Sequence, residues 1–318
     1  MEQRLPKGTL GGQAVLEGII MKGPGGYSTA VRLPDSKICV KFHKYKSYGE
    51  KYPVFKIPFI RGIANFVEAL VLGMKTLTYS SSFFEEDEEE TKADRLFKDI
   101  FKDKAEDVLI GITVIISVVL ALGLFMFIPA GIAELLGKWI SSHFVLSLIE
   151  GIIRLCIFLV YVALIAQMED IHRLFMYHGA EHKTINCYEA GEELKPENVK
   201  RYTRYHKRCG TSFIFFVMMV SIVLFFFIRV DQVVWKVCLR VLSMPVVAGI
   251  SYEIIRLAGR SDHFLVKLIS WPGMGIQKIT TKEPDDGMIE VGIASVEAVF
   301  DWKKYLSENF GSEDQNQE

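Results

Sequence analysis

Three of the seven histidines and two of the five cysteines fall in one polar stretch, Tyr177 to Thr211. Its opening reads His178-Gly179-Ala180-Glu181-His182, an H-x-x-E-H pattern. On a helix, residues four apart share a face, so His178 and His182 can bind one metal ion with Glu181 beside them as general base toward the water the metal activates. Gly179 weighs against a regular helix here. A third ligand is required. Cys187, Glu189, His206 and Cys209 are candidates within the stretch, and Glu253 is one outside it. His206-x-x-Cys209 before Gly210-Thr211 is a second ligand-like pair, suited to zinc or another divalent transition metal. Four protein ligands would make a closed, structural site; three would leave a position for water and permit catalysis. The bland alternative is histidines bonded to backbone or lipid headgroups and cysteines packed as small apolar residues.

Long apolar runs flank this stretch. Half of all residues are hydrophobic and 22 are Phe, an excess gathered into runs, which predicts an α-helical integral membrane protein. Four spans are expected, at about Val108–Ile128 (ending at Pro129), Phe144–Met168, Ser212–Ile228 and Val237–Ile255. Lys and Arg cluster at Lys92, Arg95, Lys98, Lys102 and Lys104, and again from Arg173 to Arg208. The positive-inside rule then puts both termini and the histidine stretch in the cytoplasm. A net charge of −1 gives no reason to expect nucleic acid. The odd, dispersed cysteines do not read as a disulfide framework, and no cleavable signal peptide is read at the start. Inside the spans, Glu150 and Arg154 can pair at i,i+4, and Glu253 lies near the cytoplasmic end with Arg256 close by.

Four segments follow: a glycine-rich β cap over 1–58, an amphipathic helix and acidic linker over 59–107, the membrane bundle over 108–256 with the 169–211 loop, and a C-terminal segment over 257–318. In the first, turns are expected at Gly25-Gly26 and Pro34-Asp35. Gln13 and Glu17 there are polar residues in a close-packed glycine-rich backbone, which suggests that they face a site. Apolar residues from Ile60 to Leu77 recur at helical steps, a face that fits either the membrane interface or the other helices. Glu85 to Glu90 reads as solvated linker. Arg260 to Trp271 reads as a membrane-surface segment, Pro272 to Gly275 as a turn, and Asp286 as the N-cap of a helix from Met288 to Leu306. Gly311 to Glu318 reads as a polar tail.

The chain resembles the YqhQ-like family of uncharacterised bacterial multi-pass membrane proteins. Three motifs carry the resemblance: Gly11-Gly12-Gln13-Ala14-Val15-Leu16-Glu17-Gly18 with Met21-Lys22-Gly23-Pro24, Tyr177-His178-Gly179-Ala180-Glu181-His182-Lys183, and Arg208-Cys209-Gly210-Thr211-Ser212-Phe213. They occur in order across nearly the whole chain. Lys207 stands where the family pattern has proline. The resemblance implies a metal-dependent enzyme and names no substrate.

The leading functional expectation is a membrane-embedded metalloenzyme, a hydrolase with a cytosol-facing site. Its substrate would be lipid-linked or a membrane protein, and its environment membrane lipid. His178, His182, His206 and Cys209 are the expected ligands and Glu181 and Glu17 the catalytic carboxylates; Gln13, Glu189 and Glu253 are candidates to line the site. A non-catalytic scaffold or assembly factor with a structural metal is the alternative. A transporter using Glu150, Arg154 and Glu253 is a third reading, for which a homo-oligomer could complete the path.

Overall fold

In a computed structural model, residues 10–84, 105–228, 230, 232–260 and 263–309 are described. The acidic run Glu85–Glu90, the Lys92–Lys104 cluster and the Gly311–Glu318 tail lie outside them.

Four short strands form an antiparallel meander: β1 Gly11–Val15, β2 Gly18–Gly23, β3 Gly26–Arg32 and β4 Ile38–Lys44. The register pairs Gln13 with Ile20 and Val15 with Gly18. The β2–β3 turn centres on Pro24-Gly25, with Gly25 at φ +83°, and Gly26 already starts β3. The β3–β4 connection closes through Leu33 N–H to Lys37 O at 2.8 Å.

The helices of interest are α1 Ile60–Ser81, α2 Ala105–Leu122, α3 Ile128–Leu136, α4 His143–Ile165, α5 Glu169–Glu189, α6 Gly210–Phe225, α7 Val233–Arg260, α8 Phe264–Thr280, α9 Asp286–Glu297 and α10 Trp302–Asn309. The chain divides into two compact units, one of residues 1–84, 162–220 and 245–318, the other of residues 85–161 and 221–244.

In the first unit one core binds segments far apart in sequence. Ile19, Met21 and Ala30 from the sheet, with Leu10 just before β1, meet Tyr177, Ala180, Ile185 and Tyr188 of α5 and Met288, Ile289 and Val296 of α9. Ile19, Met21 and Ala30 are fully buried. The other sheet face is covered by α1, where Val15, Ile20 and Leu72 form a smaller cluster. Because β2 is buried on both faces, its Gly-Ile-Ile-Met run lacks the alternation of a half-solvated strand.

Three apolar stretches are long enough to cross a membrane: Val108–Leu136, His143–Ile165 and Val233–Gly259, of 29, 23 and 27 residues. The fourth expected span corresponds to α6, which has 16 residues and so extends about 24 Å. The first stretch does not stop at Pro129. It passes through a π-helical turn, Gly123–Phe127, into α3. Pro129 has no N–H for the Phe125 carbonyl four residues earlier, and in the second unit the Arg154 Nε–H bonds that carbonyl at 2.9 Å. Arg154 also donates to Ser221 at 3.3 Å and to Glu150 at 2.9 Å. Arg240 adds its own fork to Glu150, so one carboxylate answers two guanidiniums.

Two other expectations change. Pro272 sits inside α8 instead of in a turn. A proline deletes one ladder bond at a cost of roughly 3 kcal/mol, yet α8 continues past it and buries Ser270, Ile276 and Gln277. The C-terminal helix starts at Asp286, two residues early, and its N-cap is Asp285 instead of Asp286, the Asp285 carboxylate accepting from Met288 N–H at 2.8 Å. It also ends early, because Asp301 takes the Lys304 N–H at 3.0 Å and caps a separate α10.

Helix α5 runs unbroken through Gly179. A Cβ there would strike the Lys282 carbonyl oxygen, part of a segment held by Lys282 N–H to Phe175 O at 2.8 Å. Glycine is required for close approach here. Gly179→Ala is expected to destabilise the protein by about 1–3 kcal/mol, read as a lower unfolding midpoint in detergent. Gly275→Ala, on an open face of α8, should be neutral or slightly stabilising.

Candidate metal centre

Helix α5 has two jobs, and its sequence is divided between them. Tyr177, Ala180, Ile185 and Tyr188 enter the core, while His178 and His182, one turn apart, look toward the start of α6, where Cys209 sits. The ring centroids of the two histidines are 4.4 Å apart. Donor atoms of His178, His182 and Cys209 all lie within 4.8 Å of one another, and no other set of three His, Cys, Asp or Glu side chains among the described residues is grouped this way.

Each imidazole is tethered from behind. The His178 Nδ1–H donates to Thr280 O at 2.8 Å, and the His182 Nδ1–H donates to Arg204 O at 2.6 Å. A carbonyl can only accept, so each ring in its neutral form carries the proton on Nδ1 and the lone pair on Nε2. His178 Nε2 lies 3.1 Å from Cys209 Sγ. The sulfur is also approached by the Thr211 N–H at 3.4 Å and by Thr211 Oγ1 at 3.1 Å.

This donor set fits a tetrahedral transition metal. Bonds of about 2.0–2.3 Å would place such atoms about 3.3–3.6 Å apart, inside the range observed. Imidazoles that spend their second nitrogen on a backbone carbonyl are also the usual arrangement behind a metal ligand.

Glu181 is buried beside the group, its Oε2 4.0 Å from His178 Nε2. Burial holds its carboxyl above the usual carboxylate range, opposed in part by His178 and the Gly12 backbone N–H. Gly12 leaves room for it: a Cβ there would come within 2.9 Å of Glu181 Cγ and 2.7 Å of Ile20 O. The glycine-rich β1 therefore backs the acid of the histidine helix.

The remaining sequence candidates are placed elsewhere. His206 is turned to Glu189 at 3.8 Å, and its ring centroid is 5.5 Å from that of His182. Burial lowers the His206 pKa. Burial alone would raise Glu189, but His206 and Arg208 together pull it below its ordinary value. Glu17 occupies the β1–β2 turn at φ +48°, held by the Arg173 guanidinium at 2.5 and 2.6 Å and by the Tyr177 hydroxyl at 3.1 Å. That strained position, costing on the order of 1 kcal/mol or more, clamps α5 to the hairpin. Glu17 also lines a surface pocket of about 390 Å³ with Leu16, Arg32 and Arg173, which includes none of the three donors. Gln13 lies against Gly73 of α1. Glu253 is bound by the Arg61 fork and the Phe59 N–H, and Glu150 by its two arginines.

One supporting residue had no signal in the sequence. Gln277, fully buried on α8, accepts from His206 N–H at 2.9 Å and donates to His206 O at 2.8 Å and Ser212 Oγ at 2.9 Å. It holds the segment that carries Cys209.

A family model described as "Protein of unknown function (DUF1385)" matches residues 57–302. The chain belongs to this family. DUF1385 extends here from α1 to the start of α10 and includes every donor of the candidate centre. The chain is also 36% identical over 289 residues to "Uncharacterized protein YqhQ" of Bacillus subtilis (strain 168), covering 90% of each. No solved structure matches.

Cys187 shows how a cysteine in the same stretch can be excluded from the centre. It is fully buried in the core, and burial pushes its thiol up to about 12. In folded protein at about pH 8, iodoacetamide should leave Cys187 unmodified and should label it after denaturation; mass spectrometry of peptides reads the difference. Rapid labelling of Cys187 in the folded state would contradict this placement.

Proposed function

We propose that this protein is a metal-dependent hydrolase of the bacterial cytoplasmic membrane, with zinc or a similar divalent ion held by His178, His182 and Cys209. The observation that carries the proposal is the pair of Nδ1–H tethers, which leave two Nε2 lone pairs near one thiol. His206, engaged by Glu189, does not complete the set. Three protein donors leave a fourth position for water or substrate.

When bound, the ion supplies Lewis-acid activation of water and of the scissile group. The chain does the proton work. Glu181 takes a proton from the attacking water while the water oxygen bonds to the electrophilic centre. It then returns that proton to the leaving group as the scissile bond breaks. Burial raises its proton affinity above that of an ordinary carboxylate, the direction such a role needs. The Thr280 and Arg204 carbonyls orient the two imidazoles, and Gly12 closes β1 over the acid.

The membrane part of the proposal rests on the three long apolar helices and on the shared core. Residues 177–199 and 288–296 pack together and must share one side of a bilayer. If α7 crosses between them, a second crossing is required, and α6 is the apolar helix that offers it, which supports four spans despite its shortness. The lysines and arginines between Arg173 and Arg208 favour the cytoplasm for that side. Both termini then lie there, and the substrates in reach are lipid-linked molecules or membrane proteins.

Elemental analysis of detergent-purified protein tests the centre. Near-stoichiometric transition metal is expected in wild type, Glu181→Gln and His206→Ala, with loss in His178→Ala and Cys209→Ala. Cobalt-loaded protein should show a thiolate charge-transfer band, and its d–d bands should shift with azide if the fourth position is open. Against membrane-borne ester, amide and phosphoester substrates, Glu181→Gln should lower turnover by about 10²-fold or more. Absence of metal after chelator-free purification and resupply would overturn the proposal. An azide-silent cobalt spectrum would make the site structural.

A further inference from the structure

Helix α1 is built inside out. Its buried positions include Glu68, Thr76 and Ser80 beside Gly62, Ala64 and Leu72. Its outer face carries Phe66, Val67, Leu70, Val71, Met74 and Leu77, each between 39% and 52% exposed. Lys75 is the one charged residue on that face. The inward polar groups are satisfied: Glu68 accepts from Tyr48 N–H at 2.9 Å and pairs with Lys22, and Thr76 donates to Leu72 O at 2.8 Å. A helix bathed in water has the opposite arrangement.

We propose that α1 lies in the plane of the membrane, its outer face immersed in the lipid of the leaflet next to the sheet. This rests on the reading of the three long apolar helices as spans. Two observations select lipid as the occupant. First, α1 runs beside the membrane helices. Gly62 meets Gly249 and Tyr252 of α7 so closely that a Cβ would fall within 2.9 Å of either, and Phe66 stacks near Phe213 of α6 at 5.6 Å. The neighbouring outer residues Ile214, Met219, Val246 and Leu257 are apolar and exposed as well, so the outer face of α1 continues theirs. Second, the chain entering α1 exposes Tyr52, Val54, Ile57 and Phe59 alongside Lys51 and Lys56, a composition suited to the headgroup boundary.

Its 22 residues would extend about 33 Å, long enough to cross, but the fold forbids crossing. The sheet and α5 share a core and so share a side. The first two long apolar helices lie between them in sequence and already account for two crossings. A third would separate them. From Glu68 to Tyr79, α1 also stays beside the sheet: Glu68 pairs with Lys22 of β2, Gly73 touches Gln13 of β1, and Lys41 of β4 lies over the Tyr79 ring at 5.0 Å. With α1 in lipid, β1 and the acid it backs, Glu181, lie one strand from the membrane, which suits a membrane-borne substrate.

The test is spin-label accessibility on full-length protein in nanodiscs. Labels go at Val67→Cys, Leu70→Cys, Met74→Cys and Leu77→Cys in a background with Cys39, Cys156 and Cys238 changed to Ser. Val118→Cys on α2 serves as the lipid reference and Lys41→Cys on β4 as the water reference. All four α1 labels should collide more with oxygen than with a soluble nickel chelate, at similar depths shallower than Val118. Nickel accessibility like that of Lys41 would overturn the inference, as would low collision with both reagents, which means a covering protein such as a second copy. A depth profile rising to a maximum at mid-helix would make α1 a span and also overturn it. If Val118 itself proves water-accessible, the membrane reading fails and takes this inference with it.

Discussion

Two backbone carbonyls, those of Thr280 and Arg204, decide what the histidines of α5 can do. By accepting the Nδ1–H of His178 and His182, they fix both tautomers and both ring planes. Much of the surrounding packing keeps these carbonyls in place. The absence of a side chain at Gly179 lets the Thr280–Lys282 segment lie on α5. The buried Gln277 binds the backbone of His206 on both sides, and Lys183 on α5 donates to Lys200 O at 3.0 Å and pairs with Glu283 at 2.7 Å. The donors thus come from two chain segments, α5 and the stretch before α6, and the 277–283 segment holds both in place through part-buried hydrogen bonds.

The N-terminal sheet makes sense as a second support. One face packs on α5 and α9, the other on α1. Its first strand approaches Glu181 closely enough that only glycine fits at position 12. At the hairpin end, Glu17 accepts a positive φ and holds Arg173 and Tyr177. The motif around Gly12 and the motif around His178 are therefore two sides of one contact.

The second unit meets a different constraint. Glu150, Arg154 and Arg240 are each less than a tenth exposed among apolar helices. Removing one partner from such a set costs roughly 3–5 kcal/mol, although the set as a whole need not add stability over apolar residues. Both guanidiniums lie over the Phe225 ring, at 5.1 and 4.9 Å. The carbonyl released by Pro129 gives Arg154 a further acceptor. These links tie the π-helical turn, α4 and α7 to one another by polar contacts where apolar packing has little specificity.

The sequence by itself determined the elements whose signals are local. The apolar runs marked the long helices, the i,i+4 histidines and the flanking Cys209 marked candidate donors, and glycine and proline marked two of the three sheet turns, the Leu16-Glu17 turn being the exception. It also carried the family, because three motifs recur in order. Tertiary structure alone decided which of the four expected ligands come together: His206 follows Glu189, since that carboxylate and the clamp at Gln277 hold it there. It decided that Glu17 and Glu253 serve arginines, and that α5 and α8 continue through Gly179 and Pro272. The outward turn of the apolar face of α1 was equally illegible, because helical periodicity shows that a face exists and not what it meets. Spacing along a chain reports which side chains share a face. Which faces meet depends on the core formed by residues 10–30, 177–199 and 288–302, contacts between segments far apart in the chain.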